Sequence, residues 1–511
     1  MPSTRVSPLI GLFEGALLVI GLALPGWTVA APEARVSTGT EPTSNVQVSL
    51  VVTGELREAS PIPAAGNGKD IAGTKAKTQQ AKEPPTPAPG PISVKAKGFL
   101  HYQEKRLPLA AQARNASSGP LALSTLRHYA KAQAHIQVGQ EVERPELDEA
   151  NSLVVCDGHA PLIRLKPLAE PMSRRQYDLL DVPLPTPYVQ LLLPAAEKLP
   201  ERWTHSDDLV GRLFRLDSVV ENHLASAPVK ESERAVVIKL EGRLSGRADG
   251  AKATIQVAGE YWLDRPTGRI VWLACKITED REPGHASPGM RVVAEVKIKC
   301  ESVPDPADWS GHAWPAAMTL ATRAIEDPVS LQWVSERHGL RTRHDARWHA
   351  VVERSDGTIL RLVDDGDWVA QCHLAALPDL PAGQFTKLAE FQQDIRKVLD
   401  QQFGEFTEAV ELPLPDGRRQ LRVVVQGTAS DVPIRWIYYH LSNAEGRRAT
   451  CVFTMAEEAV SHFADADRTL ADSLQFLPKA TASEPSAPAE KPTLPPQAVR
   501  PGGKKAENRR R

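Results

Sequence analysis

The pattern of apolar and polar residues over residues 234–280 predicts a three-stranded antiparallel meander. Apolar residues or glycine occupy every second position from 236 to 244, and the residues between them are mostly charged. The alternation resumes after residues 246–250 and again after residues 264–268, both of which have turn composition. A period of two, interrupted by turns, is typical of strands with one buried face. The stretch therefore predicts an architecture, and it does not predict a reaction.

The same alternation predicts four further strands, over residues 46–56, 92–107, 126–138 and 290–300. The first two are separated by residues 57–91, which are rich in Pro, Ala, Gly, Thr and Lys and have too few apolar residues to build a core. We therefore interpret residues 57–91 as a disordered insertion within one sheet. Together with two short predicted helices, the strands make residues 46–302 one β-rich domain, whose antiparallel sheet is expected to curve around the helices.

Two pairs of strands in this domain align position by position, which matches Gly54 with Gly242 and Gly98 with Gly259. A glycine on the apolar face of a strand allows a bend, a bulge or a close approach of two backbones. The matched glycines therefore suggest an internal duplication. The alternative is that any two amphipathic meanders align by alternation alone.

A second domain is predicted over residues 329–477, after a bridge of residues 303–328. Its clearest element is a helix over residues 384–403, where six large apolar side chains form one stripe. A second meander follows, and residues 456–477 again have a helical pattern. The predicted fold class of the chain is therefore α+β. A curved antiparallel β-rich domain precedes an α/β sandwich domain with an antiparallel sheet.

The end of the second domain contains a short set of recognisable positions: Tyr438-Tyr439, Gly446, Val452-Phe453 and Ser473-Leu474-Gln475-Phe476. In these positions the chain resembles the C-terminal half of the PsbP/DcrB-like α/β/α sandwich family. The likeness covers about a quarter of the chain. It implies a fold and an extracytoplasmic adaptor-like role, and it does not imply an activity. The first domain is loosely similar to the curved half-barrels of lipoprotein carriers, which implies no residue roles.

The N-terminus has the pattern of an export signal. Arg5 precedes an apolar run over residues 9–24, and small residues at 28–31 offer a cleavage site. We therefore predict a signal peptide over residues 1–31, followed by a leader over residues 32–45, and a secreted or periplasmic protein. The alternative is an uncleaved segment that anchors the protein in the membrane, for which the apolar run is short.

The charge of the chain argues against nucleic acid as a partner. The formal net charge is −2 and the calculated pI is about 6.7. Residues 478–511 have the composition of a disordered tail and end in basic residues. This basic end could contact an anionic polymer or a membrane surface, and the plainer interpretation is a solubilising tail.

The five cysteines leave at least one thiol unpaired within a monomer. Cys275 and Cys300 flank one predicted hairpin, but a regular register separates them by about five residues, or about 17 Å, which is too far for a disulfide. A Cys372–Cys451 disulfide stays open, and buried free thiols are the alternative.

The densest polar cluster of the sequence, residues 341–349, contains His344, Asp345 and His349. His344 and Asp345 could pair as a general base and its orienting carboxylate, or bind a metal together with His349. The alternative is a basic loop that leads into a strand, because no third ligand or nucleophile has a diagnostic spacing. The loop of residues 281–285 is a weaker candidate. No cofactor motif is present, so no cofactor is expected and no catalytic residue is assigned.

These observations favour an exported non-catalytic binding or scaffold protein of the bacterial cell envelope, with an envelope protein or a hydrophobic small molecule as its partner. One alternative is a carrier of a lipid or another hydrophobic ligand, with Tyr102, Tyr261 and Leu263 as candidate contacts beside a cavity in the curved domain. Another is an envelope hydrolase that uses His344, Asp345 or His349 at a cleft.

Overall fold

The computed structural model describes residues 42–57, 90–108, 123–158, 162–196, 198–305, 309, 313–323, 329–364, 366–414 and 416–478. The predicted signal peptide, most of the leader, nearly all of the 57–91 insertion and the tail after residue 478 lie outside the described residues. The described strands form three antiparallel sheets. Within the same ranges, no helix combines the length and the apolar character that a membrane span requires.

The first sheet contains 13 strands and defines an N-terminal unit. Its strands are β1 (Thr43–Arg57), β2 (Ile92–Arg106), β3 (Ser124–Val138), β4 (Glu141–Glu143), β5 (Leu153–Asp157), β6 (Arg164–Pro167), β7 (Trp203–Thr204), β8 (Ser218–Asn222), β9 (Ala225–Glu231), β10 (Ala235–Ala248), β11 (Ala251–Asp264), β12 (Arg269–Arg281) and β13 (Gly289–Val303). The main order is β6-β5-β3-β2-β1-β13-β12-β11-β10-β9-β7. The predicted meander over residues 234–280 is confirmed as β10, β11 and β12.

The strands β1 and β2 pair with each other across the predicted insertion, as expected from the sequence. On its other side β1 pairs with β13 over its whole length, from Thr43 opposite Val303 to Arg57 opposite Gly289. The first strand of the unit therefore lies between the second strand and the last one. This pairing joins the two halves of the sheet into one surface.

The apolar face of the large sheet, here called the inner face, is covered by three short helices. They are α1 (Arg174–Leu180), α2 (Thr186–Val189) and α3 (Asp207–Phe214). Ser173 forms a capping box with Gln176 at the start of α1, and the Ser206 side chain caps α3, as the spacing of polar residues there predicts. Leu180, Tyr188 and the apolar side of α3 pack into the same core as the alternating residues of the strands. The opposite, outer face is largely solvated, except where a further helix covers part of β3 and β5.

The register of the strands is contrary to the suggested duplication. Gly54 lies opposite Val94. The alignment matches Gly54 with Gly242 and Val94 with Ile255, so a true duplication would place Gly242 opposite Ile255. Gly242 instead lies opposite Val257, two residues further along. Gly98 and Gly259 differ by the same shift, because they face Leu50 and Leu240. A pattern with a period of two matches equally well at any even shift, which is why the sequences aligned.

A C-terminal unit contains the other two sheets and the helices α5 to α7. Its strands and helices are β14 (Ser330–Ser335), β15 (Leu340–Asp345), β16 (Trp348–Arg354), β17 (Gly357–Asp364), β18 (Asp367–Leu377), α5 (Leu388–Leu399), β19 (Phe403–Pro413), β20 (Arg419–Ala429), β21 (Val432–Ser442), β22 (Arg448–Ala456), α6 (Val460–Phe463), α7 (Ala466–Ser473) and β23 (Gln475–Phe476). The seven-stranded sheet has the order β16-β17-β18-β22-β21-β20-β19, and β14-β15-β23 form the small one. Helix α5 covers one face of the larger sheet, while α6 and α7 cover the other. A further helix, α4 (Ala313–Arg323), precedes this unit and packs on the outer side of β3 and β5.

The predicted α+β fold class, with an α/β sandwich at the C-terminus, is wrong. Strands account for 57% of the structure and helices for 18%, so the protein is mostly β. The helix predicted over residues 384–403 spans only Leu388–Leu399, because Asp400 has a φ of +47° and Phe403 already begins a strand. The pattern over residues 456–477 is divided at Ala464, whose φ is +48°. A left-handed residue ends a helix whatever apolar pattern follows it.

All five cysteines are free thiols. Cys275 lies opposite Val296, so the register keeps it away from Cys300, as the sequence predicts. Cys372 and Cys451 are buried on the neighbouring strands β18 and β22. Cys372 lies opposite Phe453 and Cys451 lies opposite Leu374, so the two cysteines are offset by two positions along the strands.

Candidate functional site

The three polar residues singled out in the sequence lie at the end of β15 and the start of β16, beside the N-terminal unit. His344 is 3% exposed, its Nδ1 donates to the backbone carbonyl of Asp345 at 2.8 Å, and burial lowers its pKa to about 4. The Asp345 carboxylate instead accepts from Nε and Nη2 of Arg347, at 2.9 and 2.7 Å. The two side chains therefore have separate partners and do not form a base–carboxylate pair.

His349 is half-buried and is surrounded by charged groups of the N-terminal unit. Burial, followed by the charge of the Arg174 guanidinium, lowers the pKa of His349 to about 3, while the Asp249 carboxylate acts in the opposite direction. Burial opposes ionisation of Asp249, but Arg281 and its neighbours outweigh that effect and hold the pKa of this carboxyl below its usual value. Across the residues that the structure describes, no three His, Cys, Asp or Glu side chains are arranged to hold a metal ion.

The surface on which these residues lie joins the two units, and we call it the junction. Its most direct bond comes from Arg174 at the start of α1, whose Nη2 donates to the backbone carbonyls of Ala346 and Trp348, the latter at 3.1 Å. Beside it, the amide of Gln332 in β14 donates to the carbonyl of Met172 at 2.8 Å. Backbone atoms of both units therefore take part, so the contact depends on the position of the strands as well as on side chains.

Two glycine turns meet at the centre of the junction. Asp249-Gly250 connects β10 to β11 with φ angles of +48° and +75°, and Gly366, with a φ of +82°, connects β17 to β18. A Cβ atom built on Gly250 would lie 2.1 Å from the Gly366 carbonyl oxygen. The Asp217 carboxylate, whose pKa burial raises to about 6, accepts from the Gly250 amide at 2.8 Å. Only a turn without side chains allows the two backbones to approach this closely.

Replacing Gly250 with alanine is expected to lower the free energy of unfolding by about 2–4 kcal/mol, because alanine adds a left-handed penalty and a steric clash with Gly366. The matched control is Gly268→Ala in the next hairpin, where φ is +65° and nothing lies within 4 Å of the added Cβ. That variant should cost only the backbone term, about 1–2 kcal/mol. Urea unfolding of both variants measures the difference. Equal losses would mean that the turn–turn contact contributes nothing.

The loop of residues 281–285, the weaker candidate in the sequence, reaches the same junction. The guanidinium of Arg361 donates to the carbonyl of His285 at 2.8 Å and lies over the Trp368 ring, 5.0 Å from its centroid. The His285 ring lies 6.1 Å from the same tryptophan. Three polar segments that are far apart in the chain, at 247–250, 281–285 and 341–349, therefore meet at one surface.

Charged groups in the junction pair with one another. The pairs are Arg281–Asp249, Arg281–Glu279, Arg347–Asp345, Arg347–Asp364 and Arg174–Asp178. Burial raises the pKa of Asp178 to about 6, although Arg174 and Arg215 act against this shift. A set of internally paired charges and neutral histidines is suited to fastening two surfaces together. It is less suited to proton transfer, which requires a group that faces a substrate.

The residues proposed as ligand contacts lie on the inner face of the large sheet. The Tyr102 hydroxyl lies 3.1 Å from Oγ1 of Thr186. The Tyr261 hydroxyl donates to the carbonyl of Leu192 at 3.2 Å. Leu263 is half-buried and packs against the same core. Tyr102 and Tyr261 lie four strands apart, and both bind the helical segment that covers the sheet. The structure therefore places these side chains under the helices.

A second buried polar cluster, which the sequence analysis did not identify, surrounds Tyr102. Glu104 accepts a hydrogen bond from Nε of Arg127 at 2.7 Å and another from the Thr186 hydroxyl at 2.5 Å. The Arg127 guanidinium lies over the Tyr102 ring, 4.7 Å from its centroid. Glu104 occupies an inward position in the alternation of β2. A charged residue at an apolar position is the sequence feature that could have identified this cluster, because a buried charge requires a partner.

A cleft of about 320 Å³ opens beside the junction, where α1 meets β14. Its lining is mostly polar and includes Asp148, Glu170, Arg175, Gln176 and Gln332. Because residues of both units line the cleft, its shape depends on the junction.

No family model matches this chain, and no curated protein matches it. A cyanobacterial PsbP from Synechocystis sp. PCC 6803 is among the similar solved structures, with 13% identity over 30% of this chain and 95% of that one, at a TM-score of 0.24. The T6SS immunity protein TplEi from Pseudomonas aeruginosa has 12% identity over 47% of this chain and 95% of that one, at a TM-score of 0.17. At these TM-scores neither likeness supports a conclusion about fold or function.

Proposed function

We propose that this protein is an exported, non-catalytic binding or scaffold protein of the bacterial cell envelope. The observation that carries the proposal is the junction, where the histidines and carboxylates offered by the sequence for catalysis lie at the surface that joins two sheet-based units. A hydrolase would need His344 to reach a substrate. His344 is 3% exposed and its Nδ1 is bound to a backbone carbonyl. Two sheets fixed to each other instead offer broad outer faces to partners.

Export is part of the proposal and rests on the pattern of residues 1–31. Fractionation of the cells of origin, followed by intact-mass analysis, tests it. We expect the protein outside the cytoplasm with a mass reduced by the loss of the signal peptide. Full-length protein in the cytoplasm would contradict the proposal, and full-length protein in the membrane fraction would instead support the anchored alternative.

A relationship of the C-terminal unit to the PsbP/DcrB-like family is also proposed, on the positions matched in β21 and β22 and after α7. One of these positions has a structural reason in this chain. The Tyr439 hydroxyl donates at 2.7 Å to Asp467, which is 1% exposed and also accepts from Arg422 at 3.1 Å. Sequences of related chains test the proposal. We expect chains that lack the tyrosine at position 439 to lack the aspartate at position 467 as well.

Native mass spectrometry of the protein purified from its own cells tests the binding or scaffold role. A second protein of defined stoichiometry would support the scaffold. A co-purifying hydrophobic molecule would support the carrier alternative, in which the ligand displaces the helical segment from Tyr102 and Tyr261. An empty monomer would count against both.

A further inference from the structure

A pair of tryptophans, one exposed and one half-buried, lies on the outer face of the large sheet. Trp262 of β11 and Trp272 of β12 are opposite each other in the register, and their ring centroids are 4.8 Å apart at an interplanar angle of 42°. Trp262 is 41% exposed, whereas Trp203, Trp348 and Trp436 are all buried. A large apolar side chain on a solvated sheet face indicates either a stabilising cross-strand pair or a binding surface.

A β-bulge lies directly beside the tryptophan pair, at the start of β12. The register shifts between Trp262 and Leu263, where Leu263 lies opposite Ile270, so Val271 is the extra residue. Trp262 and Trp272 point outward because the neighbouring pair, Tyr261 and Leu273, is buried on the inner face, and the bulge returns Ile270, which is 1% exposed, to that inner face. Bulges often redirect one side chain at a functional position. The irregularity therefore costs a ladder position and keeps Ile270 in the core directly after the two indoles.

The tryptophan pair lies within a row of basic residues that crosses eight neighbouring strands. Following the register from β3 to β9, the row contains Lys131, His101, Gln47, Lys299, Trp272, Trp262, Val237 and Lys230. Seven strand spacings make it about 34 Å long. The row contains no carboxylate, although the chain as a whole has a net charge of −2. The row itself therefore carries only positive charge.

The lysines of the row are available to a ligand. Lys299 contacts Glu301 at 2.6 Å, but both side chains are more than half exposed, and such surface pairs exchange readily with other ions. Lys131 and Lys230 are exposed, and no described carboxylate forms an ion pair with either of them. The next row along the strands adds Lys297 and Lys239 beside Glu260, and Lys239 also forms an exposed pair with Glu241 at 2.6 Å. The face thus combines a flat apolar centre with cations on both sides.

We propose that this row, called the outer-face row, binds a linear anionic polysaccharide. Sugar rings present flat C–H faces that stack on indoles, and their carboxylate substituents would pair with Lys299 on one side and Lys230 on the other. A nucleobase cannot enter between rings whose centroids are only 4.8 Å apart. A membrane surface would require a larger group of exposed apolar side chains than one pair. The proposal names the ligand class of the binding protein proposed above and rests on that function.

Affinity electrophoresis of the full chain through gels containing alginate, a polyuronate, tests the proposal. Neutral dextran is the control for charge. We expect retardation by alginate that weakens as salt is raised, because the ion pairs are exposed. The double variant Trp262→Ala/Trp272→Ala and the charge variant Lys299→Glu/Lys230→Glu should each weaken alginate binding at least 10-fold. Lys387→Glu/Lys397→Glu at α5, where both lysines are exposed, changes the net charge by the same four units and should bind normally.

Thermal unfolding of each variant separates a binding role from a structural one. The lysine variant should unfold at the same temperature as the parent protein, so its loss of binding cannot be ascribed to misfolding. The proposal is overturned if both double variants bind alginate as the parent does. It is also overturned if single-stranded DNA or phosphatidylglycerol vesicles bind more tightly than alginate. A protein partner found by native mass spectrometry would be unaffected by either result, so the proposed function is tested separately.

Discussion

Replacing Arg127 with methionine is expected to lower the free energy of unfolding by about 3–5 kcal/mol, among the largest effects of any single substitution in this protein. Arg127 is 3% exposed and Glu104 is 8% exposed, and they are joined by a 2.7 Å ion pair. Without the guanidinium, the Glu104 carboxylate stays buried with only hydroxyl partners. The cost is that of an uncompensated buried charge. Urea unfolding followed by circular dichroism measures it.

Two further variants show whether the loss comes from the unpaired buried charge of Glu104. Arg354→Met removes an arginine from an exposed hairpin pair with Asp356, at 3.3 Å, and should change the free energy of unfolding by no more than about 1 kcal/mol. The double variant Arg127→Met/Glu104→Leu should recover most of the loss, because an apolar pair of similar volume replaces both charges. If Arg127→Met costs no more than Arg354→Met, the buried pair contributes nothing to stability.

The protein is expected to lose stability steeply as the pH falls from about 6.5 towards 4. Burial lowers the pKa of His205, His344 and His440 to about 4 each, against an ordinary value of 6.5. Below pH 6.5 the unfolded chain therefore binds protons that the folded chain does not. By pH 5 each histidine should cost about 2 kcal/mol, or about 6 kcal/mol for the three, which is comparable to the stability of a whole domain.

Two carboxyl groups of the junction act in the opposite direction. The pKa of Asp178 and of Asp217 is raised to about 6 by burial, so both bind a proton in the folded state first and stabilise it as the pH falls. Their contribution at pH 5 is about 1.4 kcal/mol each, which leaves the histidines dominant.

Urea unfolding at pH 7.5, 6.5, 5.5 and 5.0 measures the expected pH dependence. His344→Gln should reduce the slope below pH 6.5 by up to about 1.4 kcal/mol per pH unit. His135→Gln, at an exposed position of the outer face, is the control for replacing a histidine with glutamine. A level curve for the parent protein between pH 7.5 and 5 would contradict the prediction.

The sheet could be predicted from the sequence because the information is local. Alternation places Val236, Ile238 and Leu240 on one face, and the turns at 249–250 and 264–268 set the pairing of their neighbours. The same reasoning correctly paired β1 with β2 across the insertion. It failed for the duplication because a period of two does not distinguish a register from one shifted by two residues.

The junction could not be predicted, because its partners are distant in the chain and have no shared pattern. Arg174 reaches Trp348 across 174 residues, and Arg361 reaches His285 across 76. Each segment separately resembles a solvated turn or loop. The sequence correctly marked residues 341–349 as unusual in charge. Only the packing of the two units showed that this charge faces another part of the same molecule.

The pairing of β1 with β13 has a consequence for how the chain folds. Arg57 donates through Nη2 to the carbonyl of Met290, 233 residues later, at 3.0 Å. Contacts of such long sequence separation form slowly. Synthesis at 5–20 residues per second delays the last strand by roughly 10–50 s after the first. During that time β1 and β12 each present an open edge of unpaired backbone groups, which other chains can join. Until β13 arrives, the N-terminal unit therefore consists of two separate pieces of sheet, each open at the edge where they later join.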